Sequence, residues 1–180
     1  GVPFTSETDS EVIAQAIGAA RADAPGTAFS ETVRMVLATM TGMYAVVVLS
    51  ADEPHVLYVA KNGPPIVLGL GEGENLVASD ATALLPHTRD LVFLEDGDFV
   101  RLTATTVEVT LGPGQASAPH RHPGPVFGYV IEGEYEWAID DNPAKTLKAG
   151  DTFYEPTGCL HRVSKNPSRK GKTRVLAMRV

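Results

Sequence analysis

The order of apolar and polar positions divides the chain into a helical beginning and a long strand-rich remainder. From Thr8 to Ala20, apolar residues recur at the three- and four-residue spacing of a helix, and Thr8 stands three residues before Glu11, as in a capping box. A second apolar stripe begins at Ser30, a candidate N-cap, and ends at Gly42. The pattern therefore predicts two helices at the start of the chain.

From Met43 to Thr105 the pattern changes to that of β-strands. Short runs rich in Val and Leu are separated by turn sequences such as DEP, NGP and EDGD. They predict six strands, at residues 43–50, 55–60, 65–70, 75–79, 90–95 and 98–103, with a short helix within residues 79–88. Two helices followed by a β-meander predict a pair of packed helix and sheet layers.

After Thr105 the helical spacing disappears. The predicted strands are 106–111, 127–133, 135–140, 145–150, 151–156, 161–166 and 173–180. Regular Gly and Pro turns between them are typical of an all-β sandwich or small barrel. The predicted fold class is α+β, with a helix/sheet unit at residues 1–104 and an all-β unit at 105–180. No flexible linker separates the units, so we expect them to touch, with residues 98–111 as a candidate strand running through both.

Charge supports this division. The net charge is -7, but residues 1–106 carry 5 basic and 14 acidic side chains, whereas the remainder carries 10 and 8. Such asymmetry indicates two units of different origin. A basic cluster near the C-terminus is interpreted as a solubilising loop, because no aromatic residues interleave it, and no nucleic-acid partner is expected. The cluster consists of Arg162, Lys165, Arg169, Lys170, Lys172 and Arg174.

Localisation is predicted from what the sequence lacks. No apolar run approaches the roughly 20 residues of a membrane-spanning helix, and no signal-peptide pattern opens the chain. A single cysteine, Cys159, fits a reducing compartment. We therefore expect a cytoplasmic protein with no membrane partner.

Three histidines are the candidate metal ligands. His120 and His122 are two residues apart in a strand-like stretch, so their side chains should project from the same face. His161 lies on a later strand that antiparallel pairing could bring beside them. Neutral imidazole binds Zn, Fe, Mn, Ni or Cu, so the pattern predicts a divalent transition metal of undetermined identity.

The glycine and proline spacing around these histidines resembles that of the cupin family. The first cupin motif is matched by Gly114, His120, His122 and Gly133, and the second by Gly150, Pro156, Gly158 and His161, with Asn166 one residue late. The resemblance covers residues 107–180 and implies a double-stranded β-helix barrel that holds a metal through the three histidines.

One position departs from the cupin pattern. Where the family places a glutamate ligand, this chain has Val126. Glu155 and Cys159 are candidate additional ligands; the alternatives are a residue at the barrel mouth for Glu155 and a small apolar residue in a turn for Cys159. Three imidazoles would leave coordination positions open to water or a small ligand.

The first half resembles a different family. From about residue 1 to 103, including NGPPIVLGLGEGENLVASD, it is similar to the second half of the glutaminase domain of glutamine–fructose-6-phosphate aminotransferase. The resemblance implies an N-terminal-nucleophile hydrolase fold, and Asp9 matches a residue that holds the glutamine amino group. The family's nucleophile is an N-terminal cysteine, whereas this chain begins with Gly1, so we expect no glutaminase activity. A sheet face bared by the truncation would be covered by the second unit or in a homodimer.

Two functional hypotheses follow. The first is a recombined or engineered chimera that has no evolved catalytic activity or catalytic residues but retains the three-histidine metal site. The alternative is a metal-dependent cupin, acting as an oxygenase, an isomerase or a small-ligand sensor, with a non-catalytic glutaminase-derived scaffold. The cupin fold hosts many chemistries and does not by itself choose between these activities.

Overall fold

The computed structural model describes residues 3–122 and 124–179, with only the backbone of Arg179. It divides into two compact units, residues 1–42 and residues 43–180. The first unit contains both helices, and the second contains all of the described strands.

The helical unit has a different start from the predicted one. Helix α1 spans Ser10–Asp23, and its N-cap, Asp9, makes no side-chain capping hydrogen bond. The Glu11 carboxylate does bond to preceding residues. It accepts hydrogen bonds from the backbone N–H groups of Thr5 and Ser6, at 2.8 and 2.7 Å, and not from Thr8. The four residues from Thr5 onward thus form the capping structure.

Helix α2 spans Phe29–Ala38. Its N-cap is Ala28 and not the predicted Ser30, and its C-cap is Thr39, three residues before Gly42. Val33, Val36 and Leu37 are buried on one stripe, so the apolar spacing located the helix even though both ends were misplaced.

The regular secondary structure of the remaining described chain consists of strands, apart from one 3₁₀ turn. The first group of strands is β1 (Tyr44–Leu49), β2 (Leu57–Asn62), β3 (Val67–Leu70), β4 (Asn75–Ala78), β5 (Leu91–Phe93), β6 (Phe99–Leu102) and β7 (Val107–Leu111). The second group is β8 (Ala116–Ser117), β9 (His120–Arg121), β10 (Val126–Glu132), β11 (Glu134–Ile139), β12 (Lys145–Lys148), β13 (Thr152–Glu155), β14 (Leu160–Lys165) and β15 (Thr173–Arg179). The predicted short helix within 79–88 is a single 3₁₀ turn at Ala81–Ala83.

A seven-stranded antiparallel sheet runs through the strand unit in the order β1-β2-β6-β7-β15-β10-β13. Strands β6 and β7 form a hairpin whose turn is residues 103–106, with Leu102 opposite Val107. The prediction of one continuous strand over 98–111 is therefore wrong: the chain reverses, and β7 joins the neighbouring position of the same sheet.

Two smaller sheets lie over one face of this large sheet. The order in the second sheet is β12-β11-β14-β8, with β9 also paired to β14, and the order in the third is β4-β3-β5. Val107 packs in the core beneath the three-stranded sheet, Leu111 packs in the core beneath the second sheet, and Val109 contacts both cores. Alternate residues of β7 therefore connect the two cores along one face.

This topology corrects the predicted fold class. The structure has two helices and the expected strands, but no barrel separate from a preceding helix/sheet unit, because β1, β2 and β6 extend the sheet that contains β7, β15, β10 and β13. The boundary between the two compact units follows residue 42 and does not fall between residues 104 and 105. The division of the chain at residue 104 into two units of separate origin stays a prediction.

The helices are too short or too polar for a bilayer. Within the described ranges, none has the length and apolarity that a membrane span requires.

Candidate metal centre

Strand pairing brings the three predicted histidines together. His120 lies on β9 directly opposite His161 on β14, and His122 follows β9 by one residue. The ring centroids are 4.7 Å apart for His120 and His122, 5.1 Å for His120 and His161, and 6.0 Å for His122 and His161. One ligand nitrogen from each ring lies within 4.8 Å of the others, close enough for a single ion.

Hydrogen bonding orients two of the rings. The Nδ1 of His120 lies 2.8 Å from the carbonyl oxygen of Ala118, so Nδ1 donates and the lone pair is on Nε2. That Nε2 lies 3.2 Å from Nε2 of His122. For His161, Nδ1 lies 3.1 Å from a Glu155 oxygen and Nε2 lies 3.3 Å from the Tyr135 hydroxyl. These contacts are of the kind that fix the ring orientations of metal-binding histidines.

Burial keeps two of the imidazoles, those of His122 and His161, neutral. It lowers the pKa of His122 to about 4 and that of His161 to about 3, and the nearby His120 ring adds to both shifts. A neutral imidazole has the free lone pair that a metal needs. At neutral pH His122 and His161 are therefore ready to bind a cation without first losing a proton.

A buried carboxylate stands beside the histidines. Glu155 is fully buried on β13, and its Oε1 accepts a 2.9 Å hydrogen bond from the indole N–H of Trp137. Its Oε2 lies 3.2 Å from His122 Nε2 but has no hydrogen-bond partner. Burial raises the pKa of Glu155 to about 7. An unsatisfied buried oxygen beside three convergent lone pairs fits a cation well.

The position of Glu155 explains how the chain lacks the expected glutamate yet has a carboxylate at the site. Val126, which stands where the cupin pattern has glutamate, is the direct antiparallel partner of Glu155. Opposite residues of such a pair point to the same face. The carboxylate is thus displaced by one strand, from β10 to β13, and remains on the inner face.

The other candidate, Cys159, lies outside the cluster. Among the described residues, the group with metal-ligand spacing contains the three histidines and neither Glu155 nor Cys159, but Glu155 contacts two of the rings. Cys159 is buried, and burial raises the pKa of its thiol. It therefore fits the alternative of a small apolar residue in a turn.

Asp9, the residue that matches a glutamine-binding position, is an exposed N-cap residue of the helical unit and is not part of the histidine group.

Sequence reasoning did not single out the hydroxyl groups of Tyr135 and Ser164 beside the site. Tyr135 is buried, donates a 2.8 Å hydrogen bond to Ser164 and contacts the His161 ring, while Trp137 contacts Glu155 and Phe153. Burial raises the pKa of the Tyr135 hydroxyl, which therefore stays protonated. Alternating aromatic residues on a strand normally indicate core, so their spacing carries no signal for a site.

The histidines line a cavity of about 460 Å³, within the usual range for small-molecule sites. The residues that form its walls lie both before and after the β6–β7 turn along the chain. Besides the three histidines and Glu155, they include Leu70, Asn75, Val92, Leu94, Val107, Val126, Tyr135, Phe153, Ser164 and Val175.

Comparison with known proteins relates residues 107–179 to one protein family. The cupin domain family model matches residues 107–179. A protein with a double-stranded β-helix domain from Klebsiella pneumoniae is 28% identical, with a TM-score of 0.38, over 47% of this chain and 77% of the other. The similarity to the cupin family therefore rests on the match of the family model.

The curated relatives are glutamine–fructose-6-phosphate aminotransferases. An enzyme of this name from Thermus thermophilus is 47% identical over 111 residues, which are 61% of this chain and 17% of the relative. That of Rhizobium leguminosarum is 38% identical over 122 residues, or 68% of this chain and 20% of the relative. The chain thus matches about a fifth of the length of these relatives.

The comparisons favour the metal-dependent cupin over the chimera. The family match and the histidine cluster both agree with the former. No finding supports recombination or engineering, and the glutaminase portion of the predicted fold is without support. Residues 107–179 match the cupin domain family model, and β7 within them continues the sheet of the region before it.

Proposed function

We propose that this chain is a metal-dependent cupin that binds a small ligand at a divalent transition metal. The observation that carries the proposal is the convergence of His120, His122 and His161 at the wall of a cavity large enough for a small molecule. Such a metal, when bound, supplies Lewis acidity and open coordination positions. An oxygenase, an isomerase and a small-ligand sensor all fit this description, and the metal identity is left open.

We assign Glu155 as the oxygen donor that replaces the carboxylate missing at Val126. Its Oε2 is unpaired and directed at His122, while Trp137 holds the other oxygen in place. A carboxylate would reduce the charge that a divalent ion adds to a buried site, which three neutral imidazoles cannot do. The Glu155→Gln variant is expected to bind the ion more weakly while retaining the fold.

The region before residue 105 serves in this proposal as a non-catalytic scaffold related to the aminotransferase glutaminase domain. Only 74 residues lie from 107 to 180, so a match of 122 residues includes at least 48 that precede the cupin domain. The single cysteine of this chain is the buried Cys159. We expect no glutamine hydrolysis by this chain, which a coupled glutamate assay would test.

The metal site is tested by purification without a metal-affinity step, followed by elemental analysis. Near one equivalent of a transition metal is expected, together with a fall in melting temperature on adding a chelator. His122→Ala should remove both effects, and His87→Ala, which changes an exposed histidine outside the cluster, should change neither. A metal-free wild-type protein that takes up no added ion and is indifferent to chelator would contradict the proposal.

A further inference from the structure

The cavity at the histidines continues beyond the cupin domain. Tyr135, Phe153 and Val175 line it from one core, and Val107 and Leu94 line it from the other. Leu94 follows β5, and the turn at Gly71–Asn75 joins β3 to β4, so both lie before the residues that the cupin family model matches. The part of the cavity that extends beneath the β4-β3-β5 sheet is called the annex. It is lined by Leu70, Asn75, Val92, Leu94 and Val107.

The annex has a fixed wall. Leu70 donates its backbone N–H to the Asp90 carbonyl at 2.8 Å, and Leu94 donates to the Ile66 carbonyl at 3.1 Å. The Asn75 side-chain amide donates at 2.8 Å to the Thr103 carbonyl in the β6–β7 turn. Because each of these bonds ties a wall segment to another part of the β-structure, the annex exists before any ligand enters.

The annex is apolar, and its charged groups are acidic. The apolar side chains of the annex are mainly Leu and Val. The charged residues that line the whole cavity, among those the structure describes, are Glu72, Asp98 and Glu155, with no lysine or arginine. Asp98 already accepts hydrogen bonds from Gln115 and from the Glu95 backbone. A bound metal would therefore be the positive charge that a ligand meets, and a second anionic group in the annex would be buried without a partner.

We propose that the natural ligand carries one anionic metal-binding group and an uncharged apolar body, and that the body occupies the annex. This inference rests on the proposed metal site and adds the substrate class to it. The β4-β3-β5 sheet, outside the cupin domain, thereby selects the ligand, while the cupin histidines hold the metal. A dicarboxylate would bury its second carboxylate without a partner, and a sugar phosphate would bury its hydroxyl groups against Leu and Val side chains, so neither is the expected ligand.

The test uses the full chain loaded with Co²⁺, whose visible absorption reports a change of coordination. Acetate, butyrate and hexanoate are titrated, with adipate as the control for hexanoate, since adipate has the same chain length and a second carboxylate. Affinity is expected to rise about fourfold for each methylene buried, and therefore at least tenfold from acetate to hexanoate if two or more of the four added methylenes enter the annex. Adipate is expected to bind at least tenfold more weakly than hexanoate.

Two variants locate the apolar body. Val92→Phe fills the annex from β5 and should remove the advantage of hexanoate over acetate, and Ala177→Leu should do the same from β15. Val47→Phe, at an exposed position on the edge strand β1, is the matched control and should leave the series unchanged. Far-ultraviolet circular dichroism and melting confirm which variants are folded.

The outcomes are separable. Failure of the wild-type chain to bind Co²⁺ would contradict the proposed metal site itself. Co²⁺ binding with equal affinity for acetate and hexanoate, or with adipate as tight as hexanoate, would contradict the annex proposal alone. An unchanged hexanoate preference in a folded Val92→Phe or Ala177→Leu variant would also overturn it.

Discussion

At the scale of single residues, the site depends on where small and large side chains meet. Gly128 on β10 lies opposite Phe153 on β13, and the Phe153 ring occupies the space above the glycine. The ring also contacts Tyr135 and Trp137, which in turn contact His161 and Glu155. The glycine at position 128 therefore leaves the space that the Phe153 ring needs, and this ring positions the aromatic groups beside the candidate metal ligands.

Gly128→Ala should disturb this arrangement. A Cβ at residue 128 would lie 2.0 Å from the Phe153 ring, so the ring must move and the variant should lose about 1–3 kcal/mol of unfolding free energy. Denaturant unfolding measures the loss. Gly18→Ala in α1, where no atom lies within 4 Å, is the control and should be neutral or stabilising. Equal stability of the two variants would contradict the assigned packing.

Asp98 provides a pH prediction. Burial raises its pKa to about 6 from 3.8, so the folded protein holds a proton that the unfolded chain releases. The contribution of Asp98 to the unfolding free energy should therefore be greatest below about pH 4. It should fall by up to about 3 kcal/mol as the pH rises to about 6. Asp98→Asn cannot titrate. The difference in unfolding free energy between wild type and variant should change over this range, and a pH-independent difference would count against it.

At the scale of elements, strand pairing determines what the sequence could reveal. Two histidines at alternate strand positions predicted that their rings converge, because period-two alternation is local. Glu155 could not be assigned in the same way, since its place beside the histidines depends on the register between β10 and β13, which are separated along the chain by β11 and β12. Local spacing shows which residues share a face, but not which strands become neighbours.

The β6–β7 turn shows a second limit. It contains no Gly or Pro, and residues 103–106 read as a continuation of a strand. The turn is made by side chains: the Thr103 and Thr106 hydroxyls lie 2.7 Å apart, and the Thr103 oxygen accepts the Thr106 backbone N–H at 3.0 Å. Threonine turns of this kind resemble strand sequence, because threonine also favours strands.

The β3–β4 hairpin is expected to depend on Asn75. Asn75→Ala removes the hydrogen bond to Thr103, which should cost about 1 kcal/mol and loosen the hairpin over the cavity. Hydrogen exchange should become faster at residues 70–78, while the backbone amides of β10 and β15 in the large sheet keep their protection. Exchange that rises equally in both regions would show that Asn75 supports the whole fold instead of this one element.

At the scale of the whole molecule, the region that matches the cupin family model is not structurally self-contained. Strand β7 is hydrogen-bonded to β6 on one side and to β15 on the other. Removing the chain before residue 105 would turn β7 into an edge strand and uncover the apolar side chains of Val107 and Val109. Uncovered edges and apolar patches promote association.

A fragment of residues 105–180 should therefore aggregate or unfold non-cooperatively, whereas the full chain should unfold in a cooperative transition. Analytical ultracentrifugation and thermal melting compare the two. A monomeric fragment that melts cooperatively at the temperature of the full chain would contradict the continuity of the sheet as a stabilising feature.

The most direct test of the central claim is anomalous diffraction from crystals of the full chain grown with a transition metal, measured at and below that metal's absorption edge. The account predicts one strong peak within coordinating distance of the side-chain nitrogens of His120, His122 and His161, with Glu155 Oε2 adjacent. The absence of a peak at the three imidazoles, with the ion bound elsewhere or not at all, would contradict it.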